Sequence, residues 1–158
     1  LRFEDMSDIM QLQKKVVDTL PDKSLFYALK RDELLESMHL DLLEGVFTQQ
    51  GQLVAFALIV SPRAGDRNLA SSTGDTQSAT LTFDVVLVDP EWRGYGFHKF
   101  FLDRVISSME TVGAVKILAT VSPENRHSLD NFLAKGFCIV DTQVKYGGLK
   151  RHILEYTR

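Results

Sequence analysis

Arg93, Gly94, Tyr95 and Gly96 have the residue types and spacing of a site that binds an anion. They follow a strand-like run that ends at Pro90 and precede an amphipathic run, so they would lie at a helix N-terminus. Free backbone N–H groups and the helix dipole attract anions there, glycines allow close approach, and arginine adds positive charge. The segment predicts a binding site for pyrophosphate at this helix N-terminus, which we call the cradle. The alternative is an ordinary turn that needs two glycines.

Two common phosphate-binding loops do not fit this segment. A Walker A loop would continue with Gly-Lys-Ser or Gly-Lys-Thr, and the sequence does not. The dinucleotide fingerprint needs a third glycine after Gly96, and its unit belongs early in a larger parallel sheet. The cradle would therefore belong to a different class of site.

Asp84 is a second residue that could do chemistry, because it is an acid inside the apolar run 80–90, TLTFDVVLVDP. Strand alternation predicts that Thr82, Asp84, Val86 and Val88 share one face. A carboxylate there could serve as a general base, and partial burial would raise its pKa. The alternative is a strand-edge carboxylate that faces solvent or pairs with a lysine. The scattered histidines show no metal-ligand spacing, so no metal site is expected.

The surrounding sequence predicts the elements that would position these residues. Helical spacing predicts helices over 7–20, 31–45, 96–109 and 124–137. Strand patterns predict two strands within 45–62 and further strands over 80–90, 114–121, 137–146 and 151–157. Residues 62–79 are polar and rich in glycine and serine, and predict one long loop. The element order predicts an α/β (α+β) protein with a mixed sheet, and residues 1–158 as a single domain.

Composition narrows the class of protein. The 158 residues suit one core, and 44% hydrophobic with 25% charged residues is typical of a soluble globular chain. The formal net charge of −3 argues against nucleic acid as a partner. The longest apolar run, 53–60, has the length of a strand, so no membrane partner is expected. A single cysteine, Cys138, allows no intrachain disulfide and favours a reducing, cytoplasmic location.

Two segments together resemble a known family. The run VLVDPEWRGYGFHKFFLDRVI, 86–106, resembles the acetyl-CoA-binding segment of the GNAT superfamily of N-acetyltransferases, in which Gln/Arg-x-x-Gly-x-Gly/Ala opens a helix after a strand. The run NRHSLDNFLAKGF resembles the family's second cofactor segment, with matches at Asn125, Ser128, Gly136 and Phe137. The resemblance covers about residues 46–158 in element order and 80–140 in motif detail.

The resemblance implies a fold, an activity and a set of cofactor residues. The fold would be a mixed, mostly antiparallel central sheet flanked by helices on both faces. The activity would be direct transfer of an acetyl group from acetyl-CoA to a primary amine, with no metal. In the family the strand before the glycines splays from its neighbour, and here the backbone N–H of Val88 would polarise the thioester carbonyl. The implied cofactor residues are Val86, Leu87, Val88, Arg93, Gly94, Tyr95, Gly96, Phe97, His98, Asn125, Ser128 and Phe132.

The sequence departs from the family pattern at two places. Aligning both glycines with the family's puts Glu91 where Gln or Arg is usual, whereas starting at Arg93 puts His98 where Gly or Ala is usual. We prefer the first register, which leaves His98 in the first helical turn, either touching a phosphate or facing solvent. Phe132 stands where the family often has a tyrosine that protonates the thiolate. Tyr146 is the candidate replacement acid, although a thiolate can also leave unaided.

The acceptor and the partners are less defined. The resemblance places the acceptor site in 19–44, 62–79 and 145–151, where both signs of charge occur, so the amine could belong to a small molecule or a protein. The leading alternative is a CoA-binding or regulatory module with little or no catalysis, because Phe132 cannot donate a proton. A structural or interaction domain with an empty glycine turn is a further alternative. The strand-rich C-terminus could pair with a second copy to form a homodimer.

Overall fold

The computed structural model describes residues 1–63, 65 and 67–158. The helices are α1 (Met6–Asp18), α2 (Arg31–Leu40), α3 (Ala70–Thr73), α4 (Phe97–Ser108) and α5 (Arg126–Leu133). The strands are β1 (Leu42–Phe47), β2 (Leu53–Val60), β3 (Thr80–Val88), β4 (Lys116–Val121), β5 (Cys138–Lys145) and β6 (Leu149–Thr157).

The six strands form one sheet in the order β1-β2-β3-β4-β6-β5. The β3–β4 pair is parallel, and the other four pairs are antiparallel. β6 therefore lies between β4 and β5, although β5 precedes it in the chain. The predicted mixed, mostly antiparallel sheet is confirmed.

Helices cover both faces of this sheet, as expected. Ile9 and Leu12 of α1 and Leu34 of α2 pack on Phe56 and Leu58, which point to one face of β2. On the opposite face, α4 and α5 pack on the other side chains of the same strands, and this cluster contains Ala55, Ala57, Phe101, Leu102, Val105 and Leu129. The amphipathic spacing of the helices and the two buried faces of β2 explain this three-layer arrangement.

The predicted second helix, 31–45, is too long. α2 ends at Leu40, and Leu42–Phe47 form β1 on the edge of the sheet, paired along β2. Asp41 turns to an extended backbone, and its carboxylate accepts the N–H of Ser61, which fixes the chain where the edge strand begins. Leucine and glutamate favour helices, but pairing with β2 overrides that local preference.

The segment 62–79, predicted as one long loop, contains short regular pieces. α3 forms one turn, and residues Gln77–Ala79 form a turn of 3₁₀ helix just before β3. Within the described residues, no helix has both the length and the apolar character needed to cross a lipid bilayer.

Candidate active site

β3 and β4 separate halfway along their length and leave a gap in the sheet. They pair only from Thr80 to Phe83 on β3, whereas β3 stays paired with β2 as far as Val88. Asp89 donates its N–H to Val54 at 2.8 Å on the β2 side. Because successive backbone N–H groups point to opposite edges, the N–H of Val88 faces the gap. An extended ligand could pair with this free edge.

A β-bulge at Asp84 corrects the predicted side-chain alternation. Leu58 of β2 lies opposite Val85 and Ile59 lies opposite Phe83, so Asp84 is the extra residue. Asp84 lies on the face of the sheet covered by α1 and α2, and the bulge moves Val86 to the opposite face, where it packs against the cluster under α4 and α5. The prediction that Thr82, Asp84, Val86 and Val88 share one face is therefore wrong.

The Asp84 carboxylate is held by an arginine rather than by a lysine or by solvent. Arg67 donates to Asp84 at 2.6 Å, and to the carbonyl oxygen of Glu33 and the hydroxyl of Ser37. The Asp84 side chain keeps 20% of its surface exposed. Burial raises the pKa of Asp84, and the Arg67 charge acts in the opposite direction. The carboxylate is thus fixed in place and disposed to take up a proton.

Tyr146 reaches across the gap from the hairpin between β5 and β6. Its hydroxyl lies 3.0 Å from the Thr120 hydroxyl on β4, and its ring stacks on Tyr27 at 4.9 Å between centroids. Burial raises the pKa of Tyr146, so the phenol stays protonated at neutral pH. Its φ of 52° is unusual for a residue other than glycine, and such strain often accompanies functional positions. Asp84 and Tyr146 line the same cavity.

The glycine segment forms an open anion cradle at the start of α4. Gly94 and Gly96 have φ of 87° and 83°, and Gly96 is the residue that caps α4. A Cβ atom at either glycine would meet no described atom within 4 Å. Within the described part of the chain, the backbone N–H groups of residues 93–99 have no hydrogen-bond acceptor. The two glycines serve the backbone conformation, and the row of free donors suits an anionic ligand.

His98 is buried beside this cradle, so the expectation of a solvent-facing histidine is wrong. It is 9% exposed, and its Nδ1 lies 3.2 Å from the Asn131 amide nitrogen, which makes Nδ1 the acceptor. The proton then sits on Nε2, which is buried and has no hydrogen-bond partner among residues 1–63, 65 and 67–158. Burial lowers the pKa of His98 to about 4. A neutral imidazole thus lines the cradle, and its unpartnered N–H is buried behind the surface.

Phe132 lies at the centre of an aromatic cluster rather than at an exposed edge. Its ring meets Phe83 at 5.5 Å and Phe137 at 5.0 Å, and it also lines the cavity that holds Asp84. Asn125 caps α5 by accepting the N–H of Ser128 at 3.2 Å. Phe132, Asn125 and Ser128 thus line the side of the gap that lies opposite β3.

Lys15 of α1 neutralises the acidic side chains that flank the cradle. Its ammonium donates to Asp89 at 2.8 Å and to Glu91 at 2.6 Å. Glu91 stands where the family usually has Gln or Arg, and its free charge would repel a phosphate. The pairing with Lys15 reduces that repulsion.

The cavities along the gap share walls and form one groove. Val88, Arg93 and His98 line its outer part around the cradle, and Val86, Asn125 and Ser128 line the part that follows. The groove continues to Asp84 and Tyr146 and reaches the opposite face beside Tyr27 and Leu29. Among the residues that the structure describes, no three or more His, Cys, Asp or Glu side chains gather as metal ligands would.

Sequence reasoning gave no individual role to several residues of this groove. Tyr27, Arg67 and Arg151 lie in the segments 19–44, 62–79 and 145–151 that the resemblance assigned to the acceptor site, but no local motif marks them. Thr120, near the end of β4, was missed. Their roles come from contacts between distant segments, which a single sequence does not reveal.

The chain is similar to known proteins in fold rather than in sequence. No protein-family model matches the sequence, and no curated protein sequence matches it either. Solved structures match the fold. An acetyltransferase of the GNAT family from Streptococcus pneumoniae is 13% identical with a TM-score of 0.74, and the match covers 100% of this chain and 96% of that one.

Two further matches are structures of enzymes with defined acceptors. The ribosomal-protein-S18-alanine N-acetyltransferase from Escherichia coli is 15% identical with a TM-score of 0.73, covering 99% of this chain and 90% of that one. The spermidine N-acetyltransferase from Vibrio cholerae, in complex with CoA and spermine, is 17% identical with a TM-score of 0.69, covering 99% and 92%. The chain therefore has the fold of the GNAT family of N-acetyltransferases, the family that its glycine segment resembles.

Proposed function

We propose that residues 1–158 form one acetyltransferase domain that moves an acetyl group from acetyl-CoA to a primary amine. The observation that carries this proposal is the groove that links the anion cradle to Asp84 and Tyr146 through the β3–β4 gap. The fold neighbours supply the reaction class, since they are N-acetyltransferases and one is bound to CoA.

The residues along the groove fit the cosubstrate in three places. The free N–H groups of residues 93–99, with Arg93 beside them, would hold the pyrophosphate. The unpaired edge of Val86 to Val88 would pair with the extended pantetheine arm. The buried Nε2–H of His98 is a donor in need of an acceptor in the same part of the groove. Bound acetyl-CoA would supply an activated thioester.

The side chains at the inner end of the groove and the free backbone edge of β3 have complementary roles in this proposal. Asp84 removes a proton from the acceptor ammonium, and Arg67 keeps the carboxylate in position. The Val88 N–H stabilises the negative charge that develops on the thioester oxygen while the C–N bond forms. As the C–S bond breaks, Tyr146 can give its proton to the departing sulfur, since its raised pKa keeps it protonated. The nitrogen then releases its second proton through water, which restores the Tyr146 phenol, and the Asp84 proton is lost to solvent.

Phe132 supports a second candidate function, a CoA-binding module with little catalysis, because its ring cannot serve as the acid that family members often have. Turnover separates the two candidates. The purified protein is incubated with acetyl-CoA and a panel of amino acids, polyamines and peptides, while released thiol and the mass of the acceptor are measured. We expect N-acetylated product from at least one class. CoA binding without any product would favour the module, and no binding would overturn both candidates.

A further inference from the structure

The charges around the acceptor end of the groove indicate what kind of amine it takes, an inference that rests on the proposed function. This end is a cavity between α2, α3 and the β5–β6 hairpin. Asp84 stands where it meets the inner groove, and its wall includes Leu29, Glu33, Arg67, Ser72, Lys145 and Tyr146. An amine entering here would meet Asp84.

The acidic groups of this cavity are already engaged in the protein. The Asp84 carboxylate is paired with Arg67 at 2.6 Å. The Glu33 carboxylate accepts the backbone N–H of Lys30 at 2.7 Å and so caps the start of α2. The cavity therefore lacks, among its described residues, the row of free carboxylates that several ammonium groups of one ligand would require.

Lys145 is a cation of the same cavity whose hydrogen-bond partner is uncharged. Its ammonium donates to the Ser72 hydroxyl at 2.9 Å, which links the hairpin to α3 across the cavity. Among the described residues, no carboxylate lies within 4 Å of this ammonium. The ammonium thus remains able to bind an anion.

Arg151 is a second cation beside Tyr146, and it is only 4% exposed. Its guanidinium lies 5.9 Å from the centre of the Tyr146 ring and donates to the carbonyl oxygens of Ser24 and Lys150, at 2.7 and 2.9 Å. Within the described chain it too has no carboxylate within 4 Å. A buried charge without a counter-ion is costly, and a ligand carboxylate would offset that cost.

We propose that the acceptor is a small primary amine that also carries a carboxylate, of the amino-acid type. Lys145 and Arg151 bind the carboxylate beside Tyr146, and the amine faces Asp84. One molecule then matches both signs of charge in the cavity: its ammonium lies on the acidic side and its carboxylate on the basic side. A carboxylate-free polyamine would bring only positive charge to two adjoining parts of the groove. Among the described residues, each part has a cation without a carboxylate partner: Lys145 in the acceptor cavity and Arg151 in the inner groove.

The test compares amino acids with their own carboxamides, which share every group except the charged carboxylate. The amino-acid-over-amide ratio of kcat/KM is measured for glycine, alanine, methionine, phenylalanine and glutamate, in the wild type and in three variants. Lys145→Gln keeps a donor for Ser72 but removes the charge, and Lys145→Glu reverses the charge. Lys150→Gln, an exposed lysine on the same hairpin, is the matched control.

We expect that Lys145→Gln lowers this ratio by about tenfold or more, since a charged hydrogen bond is lost, and that Lys145→Glu lowers it further. Lys150→Gln leaves it within about twofold. The amines of an acid and its amide differ in basicity, but this difference is the same for the wild type and a variant. It therefore cancels when the wild-type ratio is divided by the variant ratio. A ratio that neither Lys145→Gln nor Lys145→Glu changes relative to the wild type would overturn the inference.

Equilibrium binding of the same pairs to the CoA-loaded protein separates this inference from the proposed function. One outcome is that no acid or amide is acetylated, but the acid binds more tightly than its amide and the Lys145 variants lose this difference in affinity. The inference then stands and the proposed catalysis fails. If the amides are acetylated and bind as tightly as the acids, the catalysis stands and the inference fails. If no pair binds, the inference is overturned.

Discussion

Asp84 is the residue on which the proposed chemistry most depends, and its bulge and Arg67 both fix its position. A carboxylate accepts a proton only when ionised, and burial raises the pKa of Asp84, so kcat/KM should rise with pH through that raised value. Asp84→Asn should lower kcat by about 10²–10⁴-fold and remove this acidic limb. A pH profile with an acceptor identified by the panel measures both effects.

The control for this variant is Asp130→Asn, which changes an exposed carboxylate on α5. It should leave the rate and the pH profile unchanged. If Asp84→Asn kept the wild-type rate and the same acidic limb, Asp84 would not be the base.

His98 predicts a link between pH and stability, because its folded-state pKa is about 4 whereas the ordinary value is 6.5. The folded protein favours the neutral imidazole, so this contribution is fully present above pH 6.5 and is lost as the pH falls towards 4. Between neutral pH and about pH 4, the free energy of unfolding should fall by ~3 kcal/mol more in the wild type than in His98→Phe. Urea denaturation at several pH values measures the difference.

His39→Phe serves as the control for His98, because His39 is an exposed histidine on α2. Its pH dependence of unfolding should follow the wild type. Equal pH dependence in the wild type and His98→Phe would show that the buried imidazole does not resist protonation.

At the scale of elements, the start of α4 can be compared with another turn of the same backbone conformation. Gly96 and Gly51 have φ of 83° and 84°, and a Cβ atom added at either would lie more than 4 Å from every described neighbouring atom. Gly96→Ala and Gly51→Ala should therefore each cost about 1–2 kcal/mol in stability. Only Gly96→Ala should also weaken acetyl-CoA binding, by about tenfold or more, because a methyl group would hold the pyrophosphate away from the backbone.

Thermal melts and calorimetric titrations of the two glycine variants separate strain from ligand contact. Similar losses of melting temperature with a loss of affinity only in Gly96→Ala would support the cradle. If both variants lost acetyl-CoA affinity equally, the effect would come from general destabilisation, and the cradle at the start of α4 would be contradicted.

The sequence predicted most elements of the site but not their irregularities. Helical spacing identified α4 and α5, because each buries one face. The apolar run rich in β-branched residues identified β3, which is buried on both faces. The end of α2 was missed, because the leucines and glutamate of 42–44 suit a helix until β2 pairs with them. The bulge at Asp84 was missed, because one extra residue in a ladder leaves no mark on composition.

At the scale of the whole molecule, the missing information lies in contacts between distant segments. Lys15 and Glu91 are 76 positions apart, and Tyr146 and Thr120 are 26 apart, yet each pair is within hydrogen-bond distance. One sequence contains no signal for such pairs, so only the resemblance linked the glycine segment to an opening between strands. The cytoplasmic location, the exclusion of nucleic acid and the homodimer stay predictions.

The central claim is that acetyl-CoA binds along the cradle and the β3–β4 gap, and hydrogen exchange with and without acetyl-CoA tests it most directly. We predict slower amide exchange in 84–99 and 125–131 when acetyl-CoA is present, because the ligand covers the free N–H groups of 93–99 and the gap edge of β3, and packs against the start of α5. The β1–β2 turn at 48–52 should be unchanged. Unchanged exchange in 84–99 at saturating acetyl-CoA, or protection confined to another face, would contradict the account.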